Sequence, residues 1–258
     1  MTTILTSPVS IPYPAVAGDL ELRIQGGACR LRVTPADQDA FVTGTYIDPS
    51  DSISVASQTD GNRVTVRVGR SGANFFEWLN GIPELSLEIG RARPFALTIE
   101  TGASETHIDL GALPITRLNV SHGAGAFDIA FSSPNPLVMS ELKLSVGAGR
   151  TNARQLGNAN FQSLVVEGGA ASYTLDFSGT ALQDASAKIS TAMASVQARI
   201  PAGLAVQVMG ENTLGETRAD PGFTWNGAAW LSRAASEGKP IQLRIHSAMV
   251  MGQLQLRS

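Results

Sequence analysis

The sequence predicts an all-β fold, a single-stranded right-handed β-solenoid wound in turns of about 22 residues. Two observations carry this expectation. Small residues recur at Gly102, Gly123, Gly147, Gly169 and Ala192, with spacings of 21, 24, 22 and 23 residues. Around each of these markers apolar and polar residues alternate, the period of a strand with one buried face. The absence of a long 3.6-residue pattern argues against helices filling the turns. The right hand follows only from the general preference of crossover connections. A β-sandwich is the alternative architecture.

The first copies are short. Leu22, Ile24 and Gly27 lead to Leu31 and Val33, and Leu85, Leu87 and Gly90 are read in the same register. Between them lies a segment, residues 35–82, read as an insertion. It holds ISVASQTDGNRVTVRV, two alternating runs joined at Asp60-Gly61, a strong hairpin signal. It ends in NFFEWLN, where Phe75, Phe76, Trp78 and Leu79 cluster.

The central copies are the clearest. Five and three residues before the markers stand Leu97 and Ile99, Leu118 and Val120, Leu142 and Leu144, Leu164 and Val166, Ala187 and Ile189. Four, six and eight residues after them the alternation resumes as Phe127, Ile129 and Phe131, then Tyr173, Leu175 and Phe177, then Val196, Ala198 and Ile200. Thr106, Ile108 and Leu110 match this pattern, whereas Thr151, Ala153 and Gln155 fit it poorly. Return segments carry Leu113, Leu137, Phe161, Leu182 and Leu204. A single copy cannot bury its own apolar edge, so stacking must close the core.

A second insertion, residues 205–240, carries PGFTWNGAAW with Phe223, Trp225 and Trp230. The closing copy is Leu243, Ile245 and Ala248, leading to Gly252, Leu254 and Leu256. The whole chain, residues 1–258, is thus expected to form one domain. Solenoid ends need caps, and the two aromatic clusters suit that work. If they stay exposed, Phe75, Phe76, Trp78, Phe223, Trp225 and Trp230 become the candidate interface, because aromatic residues dominate such contacts.

Composition narrows the chemistry. The 258 residues are 43% hydrophobic and 16% charged, with 26 Gly, 13 Pro and a net charge of −3. Lys and Arg are scattered singly, without the basic stripe that a phosphate backbone requires, so nucleic acid is not an expected partner. The single Cys29 has no partner for a disulfide and no CxxC neighbour. The amino terminus, MTTILTSPVSIPYPAVAGDL, lacks a basic region and is broken by Pro8, Pro12 and Pro14, so no signal peptide is expected. No stretch reaches the roughly 20 apolar residues of a membrane span. These features suggest a cytoplasmic or envelope-associated protein.

One stretch imitates a nucleotide site. LKLSVGAGRTNARQLGNANFQSLVVE, Leu142 to Glu167, runs from an apolar strand into Gly147-Ala148-Gly149 and ends on an acid. A dinucleotide fingerprint needs a third glycine and a helix whose first N–H groups face the pyrophosphate. Here the third position is Asn152, and the same turn returns as HGAGAF and GGAASY. Repetition at a tight bend explains it, so no cofactor is expected.

His107, His122 and His246 show no ligand spacing and are read as surface residues, so no metal is expected. Seven residues after the markers stand Asp109, Ala130, Arg154, Asp176 and Arg199, an outward column of mixed sign. Paired charges on a solvated sheet account for it, and no two carboxylates can be shown to flank a bond. Ser195 has no triad spacing and no GxSxG occurs, so no catalytic residue is assigned.

The motifs LNVSHGAGAFDIAF, LKLSVGAGRTNARQL and LVVEGGAASYTLDF, with the closing turn at Gly252, resemble the bacterial toast-rack and adhesin-like families of unknown function. Those families are relatives of the carboxy-terminal domain of LiaF-type cell-envelope stress proteins. The resemblance runs from about Leu85 to Ile200 and resumes in the tail. It implies a β-solenoid and a non-enzymatic binding or scaffolding role at or near the envelope, through a protein partner or self-association. A carbohydrate-binding or carbohydrate-active β-helix is the alternative.

Overall fold

The computed structural model describes residues 5–48, 53–70, 82–180 and 184–258. Phe75, Phe76, Trp78, Leu79 and Leu182 lie outside them. The strands are β1 (Leu5–Pro12), β2 (Leu20–Gly27), β3 (Arg30–Ala36), β4 (Ala40–Asp48), β5 (Ile53–Asp60), β6 (Arg63–Arg70), β7 (Glu84–Gly90) and β8 (Phe95–Asp109). They continue as β9 (Ile115–Ala130), β10 (Met139–Arg154), β11 (Phe161–Asp176), β12 (Ala185–Arg199), β13 (Val206–Ala219), β14 (Phe223–Trp225), β15 (Trp230–Ser232) and β16 (Leu243–Arg257). One helical turn, α1 (Arg233–Ser236), precedes the last strand. The all-β class holds.

Strands β8 to β12 lie side by side in chain order and are parallel. Each passes through its marker residue and has two arms, one on either side of it. The register follows the apolar pattern: Leu142 sits between Leu118 and Leu164, and Leu144 between Val120 and Val166. These side chains are fully buried. A one-residue slip would turn them all toward water, so burial specifies the face.

At the bend, backbones approach closely. A Cβ placed on Gly147 would lie 2.5 Å from the carbonyl oxygen of Gly123, and one on Gly169 would lie 2.8 Å from that of Gly147. Gly149 adds a φ of +120, a region that side chains with a Cβ rarely adopt. The fingerprint-like glycines therefore belong to the middle of strand β10, and no phosphate-binding helix follows them.

Both ends depart from chain order, which corrects the expectation of simple insertions. Segment 35–82 supplies β6, which extends the first arm beyond β2, while β7 extends the second arm beyond β3. Leu85 and Leu87 therefore stand beside Leu31 and Val33, in the second arm and not the first. At the other end β16 lies between β12 and β13, so segment 205–240 contributes the outer strand of the array. Within β16 the residue beside Ala192 is Val250, two places after the Ala248 read from sequence, since Thr191 pairs Met249 and Met193 pairs Met251. Antiparallel strands then cover the ends: β5 on β6, β4 on β7, β1 on β4, β15 on β13 and β14 on β15.

Both arms feed one apolar core. Tyr173, from a second arm, donates its hydroxyl to the carbonyl of Val146 in the first arm of the neighbouring strand, at 3.3 Å. The degenerate copy resolves locally. Thr151 and Ala153 face inward, Gln155 turns at a φ of 56, and Leu156 enters the core in its place. Asparagines hold the return segments: Asn135 Nδ2 donates to Ile115 O at 2.8 Å, and Asn160 Nδ2 to Leu137 O at 3.0 Å. Cys29 is buried, and desolvation pushes its thiol up to about 12, which leaves it a small apolar core residue without thiolate chemistry.

Candidate interaction surface

The position just after the marker points outward at the bend, and its occupants form one continuous row across the sheet. Ala103, Ala124, Ala148 and Ala170 come first, followed by Met193, Met251 and Leu214. A row of small residues thus becomes a row of large apolar ones toward β13. Met193 is 58% exposed, Met251 46% and Leu214 70%, and Val250 beside them is 58% exposed. Large apolar side chains left in water at adjacent positions mark an interaction surface more often than chance placement does. Sequence reading missed the ridge because it assembles only when β16 is placed between β12 and β13. Comparing the residue after each marker would have shown the change from alanine to methionine.

Near this end, strands β14 and β15 form a hairpin. Phe223 is 7% exposed and joins the core, Trp230 packs partly against it, and Trp225 is 51% exposed. The two indoles lie 5.5 Å apart at 55°. Three aromatics grouped in sequence thus occupy three environments, although Phe223 and Trp225, two residues apart on β14, share a face and Trp230 lies directly across from Trp225.

The column seven residues after the markers continues as Arg257 and Asp220. Asp176, Arg199, Asp220 and Arg257 line a shallow depression, where Arg257 and Asp220 pair at 2.9 Å. The carboxylates serve the turns. Asp109 Oδ1 accepts from the backbone N–H of Gly111 at 3.0 Å and of Ser132 at 3.1 Å, and Asp176 Oδ1 accepts from that of Ser178 at 2.9 Å.

The histidines separate. His107 stands half exposed, 3.3 Å from both Glu105 and Asp128. His246 is exposed on the first arm. His122, contrary to the surface expectation, is 1% exposed, because it occupies the inward position just before its marker. Its Nδ1 shares a 2.7 Å hydrogen bond with Thr101, and the Gly125 backbone lies beside the ring. Desolvation holds its pKa below the ordinary value. A lowered histidine pKa means that the unfolded chain takes up the proton first. The contribution to stability is therefore full above about pH 6.5 and falls as pH drops below that value. Denaturant titrations between pH 8 and 5 should show a shallower loss of stability in His122→Gln than in the wild type. Among the described residues no three His, Cys, Asp or Glu side chains could hold a metal ion.

Residues 10–136 match the family model of the N-terminal domain of toast_rack, DUF2154. The match overlaps the resemblance read from Leu85 onward and extends it to the amino-terminal strands. No curated protein matches the chain. Among solved structures, a candidate cell adhesion protein from Clostridium sporogenes is 14% identical, with 99% of each chain covered and a TM-score of 0.54. A candidate adhesin from Bacteroides fragilis is 9% identical, covering 99% of this chain and 98% of its own, at a TM-score of 0.39. A candidate lipid binding protein from Parabacteroides distasonis is 8% identical, covering 99% and 97%, at 0.40. At such identity the Clostridium structure supports the fold alone.

Proposed function

The chain belongs to the toast-rack family through residues 10–136, and on that premise we propose that it is a non-enzymatic interaction or scaffold protein, adhesin-like and linked to the cell envelope. The observation that carries this reading is the apolar ridge of Met193, Met251 and Leu214, to which the β14–β15 hairpin adds a separate exposed side chain, Trp225. Aromatic and methionine side chains are the types enriched in protein interfaces. A single domain over residues 1–258, wound as a right-handed β-solenoid, would present this surface on a rigid stack. The parallel register of β8 to β12 supports the winding, and the displaced positions of β2, β3 and β16 modify it at the ends. Phe75, Phe76 and Trp78 remain part of the proposed interface from sequence alone.

A carbohydrate ligand is the second reading, favoured by the depression where Asp176 and Asp220 flank the neighbouring Arg199 and Arg257. Acids and arginines so placed offer the acceptors and donors that sugar hydroxyls need.

One experiment separates these readings. Binding of the purified protein to bacterial envelope fractions and to a polysaccharide panel is compared for the wild type, Trp225→Ala and Trp230→Ala, with thermal unfolding as the control. Trp225→Ala should weaken envelope binding by about tenfold with little change in stability. Trp230→Ala should cost stability, on the order of 1–3 kcal/mol, because its ring packs on the core. Equal loss of fold in both variants would assign the pair to capping. Turnover of a polysaccharide, abolished by Asp176→Asn, would overturn the non-enzymatic reading.

A further inference from the structure

The outermost strands of the array are covered unequally. Strand β5 lies on β6, β4 and β1 lie beyond β7, and β15 and β14 lie beyond the start of β13. The cover on β13 reaches only Gln207 and Val208. Its second arm, from Gly215 to Ala219, pairs with Gly252 to Leu256 of β16, and no other strand among the described residues lies on its outer edge. Edge strands left open are templates for another extended chain. The remaining edges are less suited to pairing: β1 carries Pro8 and Pro12, β14 has three residues, and β5 has no charge before Asp60 to select a register.

The β13 edge does carry such a code. Glu216 and Arg218 project from its outer face, pair with each other at 2.6 Å, and have side chains 53% and 66% exposed. Two copies related by a twofold axis perpendicular to the sheet pair antiparallel, and the axis must pass through a residue facing its own counterpart. An axis at Glu216 opposes two carboxylates, and one at Arg218 opposes two guanidinium groups. An axis at Thr217 places Glu216 opposite the partner's Arg218, and Arg218 opposite the partner's Glu216. Opposite charges directly across an antiparallel pair stabilise it and like charges do not, so the sequence selects this register. The pairing uses Thr217 only as the position of the axis, and Thr217 keeps its own contact within the chain.

We propose that a second copy of this chain docks on the outer edge of β13, antiparallel about Thr217, and continues the sheet from one molecule into the next. This goes beyond the envelope-binding reading and does not depend on it. An edge of five residues gives only a few backbone hydrogen bonds, so the dimer is weak and reversible.

Sedimentation equilibrium over a wide concentration range tests the proposal, with circular dichroism as the control for folding. The wild type should show a monomer–dimer equilibrium. Arg218→Glu and Glu216→Arg should each raise the dissociation constant by about tenfold or more, since each places like charges across the interface twice. The double variant Glu216→Arg with Arg218→Glu should restore the dimer, because the swapped charges face each other again. The double variant also re-forms the ion pair within its own strand, so the deciding sample is a mixture of the two single variants: it should dimerise across the opposed charges, while a merely structural role predicts no rescue because neither chain regains its own pair. A protein that stays monomeric at all concentrations would overturn the proposal. So would a dimer indifferent to Arg218→Glu, or one abolished by Met251→Asp alone, which would place the contact on the apolar ridge. Loss of the dimer together with intact envelope binding would leave the proposed function standing.

Discussion

Gly149→Val is expected to destabilise the protein by about 3 kcal/mol or more, and Gly147→Val by roughly 1–3 kcal/mol. Both residues lie where strand β10 bends against β9. At Gly147 the cost is steric: the added Cβ would sit 2.5 Å from the carbonyl oxygen of Gly123, a backbone atom that cannot swing aside. At Gly149 a similar collision with the Gly125 carbonyl is joined by a φ of +120, which a β-branched residue tolerates worst. The order of the two variants matters more than either value. Chemical denaturation should place Gly149→Val below Gly147→Val, with both below the wild type. Equal, small effects would mean that the bend relaxes, and tight binding of NAD or ATP by the wild type in calorimetry would return these glycines to a nucleotide site.

Asn158→Ala should cost about 2–4 kcal/mol, because alanine removes one buried and one part-buried hydrogen bond at once. The Asn158 side chain is 6% exposed and joins two backbone groups from neighbouring turns. Its Nδ2 donates to Phe131 O at 2.9 Å, and its Oδ1 accepts from the Thr180 N–H at 3.1 Å. Each buried backbone group left without a hydrogen bond costs about 1–3 kcal/mol, far more than the packing of one methylene-sized group against its neighbours. Thermal unfolding checks the size, and hydrogen exchange checks the cause: the Thr180 amide should lose protection before amides in the arms of β10. A drop below about 0.5 kcal/mol would mean that water replaces the side chain without penalty.

The sequence by itself determined the strands of the central copies, their buried faces and the shared bend. Alternation is a local property: Leu142 and Leu144 face inward because a strand turns each second side chain to the same side, whatever lies beside it. The bend was legible for the same reason, since Gly123, Gly147 and Gly169 answer a steric demand repeated from β9 to β11. Local pattern has a blind spot, however. A displacement by two residues keeps every side chain on its face, so nothing in the alternation tells Ala248 from Val250 as the residue beside Ala192, or assigns Leu85 and Leu87 to the first arm or the second. Those choices depend on which strands become neighbours, and that depends on closing contacts distant in sequence. Tertiary structure alone decided that β16 enters between β12 and β13 and that β2 and β3 lie inside β6 and β7. The candidate surface follows from the same decision. Met193, Met251 and Leu214 are scattered in the chain and become one ridge only through that order. His122 and Trp225 likewise show their burial and exposure only once the neighbouring strands are in place.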